Sequence, residues 1–319
     1  DALERKDWSG ASAQRDAAAR VGAPASDYAA QRARANAELA ALEGDASRCS
    51  TEPPGARTTA PAAAQAASMC FATLSKARRE AGAIDEALQL ARRALTLAPR
   101  EDGAQSAVFF ALVEKIKRAR EADHCDLVET LVREARPFEG ALHGQPWQHE
   151  EIIGGCLAHA GEMAFKVRDW GTAAALLRRA ATHLPNDTAV RTNLARVDAN
   201  RALEHAKGGA CDQARPLAHR AATGDTTLAV SMTSALEHCA HVEAERAAAS
   251  GDWATATSLA RRGLIDAPNS ASLRGNVGVY LHNHAVTLLK TGHCEEARAL
   301  LPELRAAGRA IANDVEKCR

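Results

Sequence analysis

Gly251-Asp252-Trp253-Ala254-Thr255-Ala256, running on to Ala267-Pro268, is the stretch whose reading decides the fold. It gives a turn glycine, an acid and a large apolar residue, then small and large apolar positions at helical spacing, closed by a proline after about four turns. The pattern returns from Arg168-Asp169-Trp170 to Leu184-Pro185 and from Gly82-Ala83-Ile84 to Ala98-Pro99. Between these lie versions in which cysteine takes the large apolar place, at Cys49, Cys125, Cys211 and Cys294. The anchors Trp8, Cys49, Ile84, Cys125, Trp170, Cys211, Trp253 and Cys294 are 41, 35, 41, 45, 41, 42 and 41 residues apart. A period in that range marks stacked supersecondary units.

Composition points the same way. The hydrophobic fraction is 46% but aromatics are only 3%, so the apolar content is mainly Ala, Leu and Val, which suits closely packed helices. In a repeat array each unit touches only its neighbours, so the 319 residues are expected to form one continuous array over 1–319 rather than two globular domains. The 40 basic residues balance 40 acidic ones, which leaves no electrostatic footprint for nucleic acid. No apolar run approaches the 18 or so residues that a membrane span requires.

Gly251-Asp252-Trp253-Ala254-Thr255-Ala256 and Gly292-His293-Cys294-Glu295-Glu296-Ala297 resemble the start of the second helix of a tetratricopeptide repeat, and Ala267-Pro268 and Ala98-Pro99 its closing proline. The resemblance covers nearly the whole chain. It implies an all-α fold, a right-handed α-solenoid of about eight antiparallel helical hairpins, one for each of the eight anchors. Two departures stand out: the spacing is near 41 where the family has about 34, and aromatics are scarce. Longer first helices would account for the spacing.

The eight cysteines fall in alternate repeats, so the deeper period is two hairpins. Cys125, Cys211 and Cys294 are 86 and 83 residues apart, and so are Cys70, Cys156 and Cys239. Pairing each cysteine with the next puts the midpoint on a predicted turn: Thr59 to Pro61 for Cys49 and Cys70, Gly140 for Cys125 and Cys156, Gly224-Asp225 for Cys211 and Cys239, and Ala306 to Gly308 for Cys294 and Cys318. Antiparallel helices bring residues equidistant from a turn to one height, within disulfide reach if the side chains are small. The alternatives are cysteine as a plain buried apolar residue, or a metal site at His124-Cys125, His238-Cys239 and His293-Cys294. Adjacent helical residues point about 100° apart and no C-x-x-C occurs, so no metal is expected. Disulfides would place the chain outside the cytoplasm, in the periplasm, at the cell surface or secreted. The start at Asp1-Ala2-Leu3, without Met or leader, fits a mature secreted product or a piece of a larger protein.

Along the chain, the first helix expected is a second-type one from Trp8 to Val21, ended by Gly22-Ala23-Pro24; Ser26-Asp27 caps the next, which reaches Leu42. An irregular loop is expected over about 44–61, around Pro53-Pro54-Gly55, with helix resuming at Gln65. A second loop is expected over about 136–147. Trp8, Trp170 and Trp253 are core positions. The array opens on a second-type helix and closes on a first-type helix ending near Cys318, so head-to-tail stacking of copies is one reading of its ends, and trimming from a longer protein the other.

No catalytic constellation is present: neither H-E-x-x-H, G-x-S-x-G, G-x-x-x-x-G-K-[ST] nor C-x-x-C-H occurs, and Gly154-Gly155-Cys156 belongs to the cysteine series. The expectation is a non-enzymatic scaffold without cofactor. The family resemblance implies that the faces of the first helices receive a protein or peptide. Asn200 and Asn283 share one register on two first helices, at a place where the family often holds an amide that grips a bound backbone. Arg196, His282, His159 and His241 are expected on the same face, whose alternative reading is a solvated polar surface. The competing function is a structural subunit that stacks end to end with other copies into an extracellular filament or surface layer.

Overall fold

The computed structural model describes residues 13, 46–50, 60–142 and 147–309. Trp8, the helices expected before residue 43, Cys318 and the interiors of both expected loops (51–59 and 143–146) lie outside the described residues. Every regular element among the described residues is helical. In chain order they are α1 (Ala60–Glu80), α2 (Ile84–Leu97), α3 (Asp102–Glu121), α4 (Cys125–Ala135), α5 (His149–Lys166), α6 (Trp170–His183), α7 (Thr188–Lys207), α8 (Cys211–Gly224), α9 (Ala229–Ala249), α10 (Trp253–Asp266), α11 (Ala271–Lys290), α12 (Cys294–Ala299) and α13 (Leu301–Ala306). Short 3-10 helices cover Ala46–Ser50, Arg136–Leu142 and Thr226–Leu228. The Cα packing forms two compact units, Asp1–Leu157 and Ala158–Arg319, divided in sequence within α5.

Two helix lengths alternate. The second helices α2, α6, α8 and α10 have 14 residues each, and the first helices α1, α3, α7, α9 and α11 have 20 or 21. The long first helices account for the period near 41. Second helices bury a single stripe at the third, seventh and tenth positions after the anchor. These are Ala87, Ala91 and Ala94 in α2, Ala173, Leu177 and Ala180 in α6, Ala214, Ala218 and Ala221 in α8, and Ala256, Ala260 and Gly263 in α10. Small residues at all of these places but Leu177 let the backbones approach closely. First helices bury residues on more than one side, as Val108, Phe109, Ala111 and Leu112 do in α3, because second helices pack against both flanks.

The turn between first and second helix is the same each time. Two residues before the anchor the backbone enters the left-handed region, at Gly82, Asp123, Arg168, Gly209, Gly251 and Gly292, with φ between 56° and 83°. The following amide then donates to the carbonyl five residues back: Ala83 to Arg78, His124 to Ala119, Asp169 to Ala164, Ala210 to His205, Asp252 to Ala247 and His293 to Leu288, at 2.8–3.0 Å. This is the Schellman stop, which occupies orphan carbonyls at the helix end. Glycine adopts that conformation at no steric cost, whereas a side chain with a Cβ is strained there by about 1–2 kcal/mol, less for Asp. Arg168→Gly is therefore expected to raise the unfolding free energy by about 1 kcal/mol in urea titrations, and Asp123→Gly by less.

The tryptophan-anchored second helices carry a side-chain cap that the cysteine-anchored ones lack. Asp169 accepts from the Thr172 amide and Asp252 from the Thr255 amide, each at 3.0 Å, while His124, Ala210 and His293 at the matching places make no such bond. Those amides, with their threonine side chains, hold the Asp169 and Asp252 carboxyls below the usual aspartate range. A carboxyl depressed in the folded state contributes stability above its unfolded pKa, about 3.9, and loses it as pH falls through the folded value. Thermal melts are thus expected to lose a component as pH falls below about 4 that Asp169→Asn with Asp252→Asn, which cap without titrating, does not show.

Covalent bonds serve the cysteine-anchored helices. Cys49 is joined to Cys70, Cys125 to Cys156 and Cys211 to Cys239, with Cα atoms 5.3, 5.7 and 5.6 Å apart. The last two link the first residue of α4 and α8 to the middle of the next first helix. Cys294, which begins α12, is also disulfide-bonded. Ion pairs add further ties between second helices, Arg92 with Glu134 and Arg261 with Glu303. Where the same register would oppose Arg178 and Arg220, both turn instead to Asp198 of α7, at 3.3 and 2.9 Å, whose carboxylate is buried.

Three segments differ from the sequence expectation. Within the stretch expected to be irregular over 44–61, Ala46–Ser50 is a 3-10 helix, and α1 begins at Ala60 rather than Gln65. Pro61 is the second residue of α1, where a missing N–H interrupts no helical bond, so it opens the helix. Arg136–Leu142 is likewise a 3-10 turn within the expected loop 136–147. The second helix that begins at Cys294 breaks at Leu300 into α12 and α13, because Pro302 has no N–H to carry the ladder through.

Candidate functional site

Within the first unit, α1 packs beside α3, with α2 against both. A cavity of about 500 Å³ opens between α1 and α3. Met69, Ala72 and Thr73 of α1 and Ala107 and Phe110 of α3 line it, with Lys76 and Arg79 also on α1 and Glu101 at the head of α3. The two helices run the same way. Gln65 near the start of α1 donates to Glu101 at 3.2 Å, while Arg118 near the end of α3 donates to the Gly82 carbonyl just past α1 at 2.7 Å. Phe110 is 38% exposed although Phe109 beside it is buried. The Arg79 guanidinium stands 5.4 Å over the Phe110 ring, within cation–π range. Lys76 lies 3.9 Å from Glu80, both well exposed, so water screens that pair.

In the second unit α7, α9 and α11 repeat the arrangement: each touches its own and the preceding second helix, and α7 touches α9 as α9 touches α11. Side-by-side first helices spanned by second helices, with a Schellman stop at each turn, resemble the tetratricopeptide arrangement. The fold is all-α, a tetratricopeptide-like array of helical hairpins. Among the solved structures the chain matches at low similarity are several TPR proteins. The C-terminal part of a TPR repeat-containing protein from Cytophaga hutchinsonii is 11% identical, over 86% of this chain and 96% of that one, with a TM-score of 0.23. The P58(IPK) TPR domain is 14% identical, over 91% and 76%, at 0.25. YrrB, described as a TPR protein with an unusual peptide-binding site, is 15% identical, over 65% and 89%, at 0.19. Superpositions this loose add nothing to the assignment, which rests on the helix packing and the turns. No protein-family profile and no curated protein matches the sequence.

The residues singled out from the tetratricopeptide-like sequence pattern lie mostly in the second unit. Asn200 is half-buried on α7 and gives one amide hydrogen to the Arg196 carbonyl at 2.9 Å, leaving its second hydrogen and its oxygen for other partners. Arg196 is exposed one turn earlier. Asn283 is half-buried on α11, and its backbone carbonyl accepts from the Thr287 hydroxyl at 2.9 Å. His282 beside it is half-buried, and His159 is exposed on α5. His241 of α9 meets the Asn276 amide of α11 at 3.1 Å, and its other nitrogen lies 3.9 Å from Glu237. The structure thus joins Asn200 with Arg196, and His241 with Glu237 and Asn276. Among the described residues no group of three or more His, Cys, Asp or Glu side chains is placed to hold a metal. No helix among them is long and apolar enough to cross a membrane.

The α1/α3 cleft escaped the sequence reading, yet its register was there to be counted. Thr73 lies eleven residues before Ile84, as Asn200 and Asn283 lie eleven before Cys211 and Cys294. Met69 and Phe110 lie fifteen before their anchors, where Arg196 stands in α7. One register is polar in α7 and apolar in α1 and α3, and the cavity opens where it is apolar.

Proposed function

We propose that the chain is a non-enzymatic, extracytoplasmic scaffold, one continuous TPR-like array over residues 1–319, that holds a segment of a partner protein against its first helices. The observation that carries the reading is the cleft between α1 and α3, where Met69 and Phe110 leave apolar surface to water beside two cations. An exposed aromatic in a concave site is the usual anchor of a recognition surface. In the second unit, Asn200 and Asn283, with Arg196, His159, His241 and His282, would offer polar groups of their own to a bound backbone. Cysteines paired in disulfides support a place outside the reducing cytoplasm. The end-to-end filament reading depends on terminal helices outside the described residues, and no observation here favours it.

The test is selection of short random peptides on the immobilised, oxidised protein. Enriched peptides are expected to bind the parent and to lose about tenfold or more in affinity to Met69→Ser with Phe110→Ser, a loss of the size of one interface anchor. Neither side chain is fully buried, so circular dichroism should show that variant folded. A parent that enriches nothing, or peptides that bind parent and variant alike, would overturn the proposal.

A further inference from the structure

The α1/α3 cleft is polar along its length. Glu101 stands at the end where both helices begin, and Lys76 and Arg79 stand about two to three turns beyond Met69 toward the other end. The Arg79 guanidinium lies over the Phe110 ring, and its N–H donors, arrayed in one plane, suit a planar acceptor. Among the described residues no carboxylate pairs with Arg79. Lys76, among the described residues, has only the screened contact with Glu80. A polyanion such as nucleic acid fits poorly, because Glu80 and Glu101 flank the cations and the chain's formal net charge is zero. A single carboxylate next to an apolar group fits well.

We infer that the cleft takes an extended segment of a partner protein in one direction, with a large apolar side chain seated on Met69 and Phe110, an acidic residue at Lys76 and Arg79, and the segment's basic end toward Glu101. The inference rests on the function proposed above and names the chemistry of its partner. Charge at the two ends sets orientation more than affinity, since exposed pairs contribute little each.

The same peptide selection tests it. Sequences enriched by the parent are expected to hold Asp or Glu close to Leu, Ile, Phe or Met, and to weaken severalfold as sodium chloride rises from 50 mM to about 500 mM. Lys76→Gln with Arg79→Gln is expected to weaken them about tenfold, and Lys76→Glu with Arg79→Glu to enrich Lys or Arg at the acidic place instead. A synthetic peptide with the order of its acidic and basic ends reversed is expected to bind about tenfold more weakly than the enriched one. Enrichment of apolar sequences without an acid, an unchanged consensus with the charge-reversed variant, or equal binding of the reversed peptide would each overturn the inference while leaving the peptide-binding function standing. Enrichment of nothing overturns both.

Discussion

Loss of the disulfides is expected to lower the stability of this protein more than any other single change. The bridges close segments of 21, 31 and 28 residues, and in the chain-entropy picture each loop of that size contributes about 3 kcal/mol. For a domain of this size that is a fall in melting temperature of about 6–12 °C for each bridge. All six cysteines are nearly inaccessible to solvent, so a reductant must wait for local opening, and thiols should appear slowly under native conditions. The direct measurement compares melts of the parent with Cys211→Ala/Cys239→Ala, which removes the α8–α9 bridge without leaving an odd thiol. If the double variant melts within about 2 °C of the parent, side-chain packing already fixes this register and the bridge is redundant.

The second large effect is expected at Gly263, the tenth position after the Trp253 anchor of α10. Its neighbours in that register are Ala94, Ala135, Ala180 and Ala221, so alanine would look harmless from sequence. A Cβ at Gly263 would fall inside contact distance of the Ala240 methyl and 3.0 Å from Leu273. Both belong to the buried core of this hairpin, and Leu273 is itself fully buried. Gly263→Ala is expected to destabilise by about 2–3 kcal/mol, the range of overpacking in a tight core. Gly275 of α11 is the control: a Cβ there meets nothing within 4 Å, and Gly275→Ala should stabilise by about 0.5–1 kcal/mol through helix propensity. Denaturant midpoints of the two variants, measured together, should move in opposite directions.

Much of the fold could be read in the sequence because its strongest constraints are local. The residue two places before each anchor, the anchor itself and the buried stripe after it are fixed by one turn and one helix face, and these recur at Ile84, Trp170 and Trp253 with little change. Asp123 and Arg168 carry no left-handed signal of their own; only their place in the repeat identifies them. Pro61 reads as a break yet opens a helix, since a proline in the first turn and one in a loop look alike without the flanking hydrogen bonds. The cleft was harder to see because it is made by two helices about 40 residues apart, and because Met69 and Phe110 are the kind of residue that usually marks a core. The amides at Asn200 and Asn283 stood out by being polar in an apolar background. The apolar pair at the same face blended into it.

The bridges also decide how the protein behaves as a tether. Load applied along the backbone can melt helices, but it cannot draw out the chain enclosed between Cys49 and Cys70, Cys125 and Cys156, or Cys211 and Cys239. At about 3.4 Å per extended residue those enclosed segments withhold about 250 Å of contour from the stretched oxidised chain. Redox state would then set how far two attached bodies can be drawn apart before the backbone runs taut.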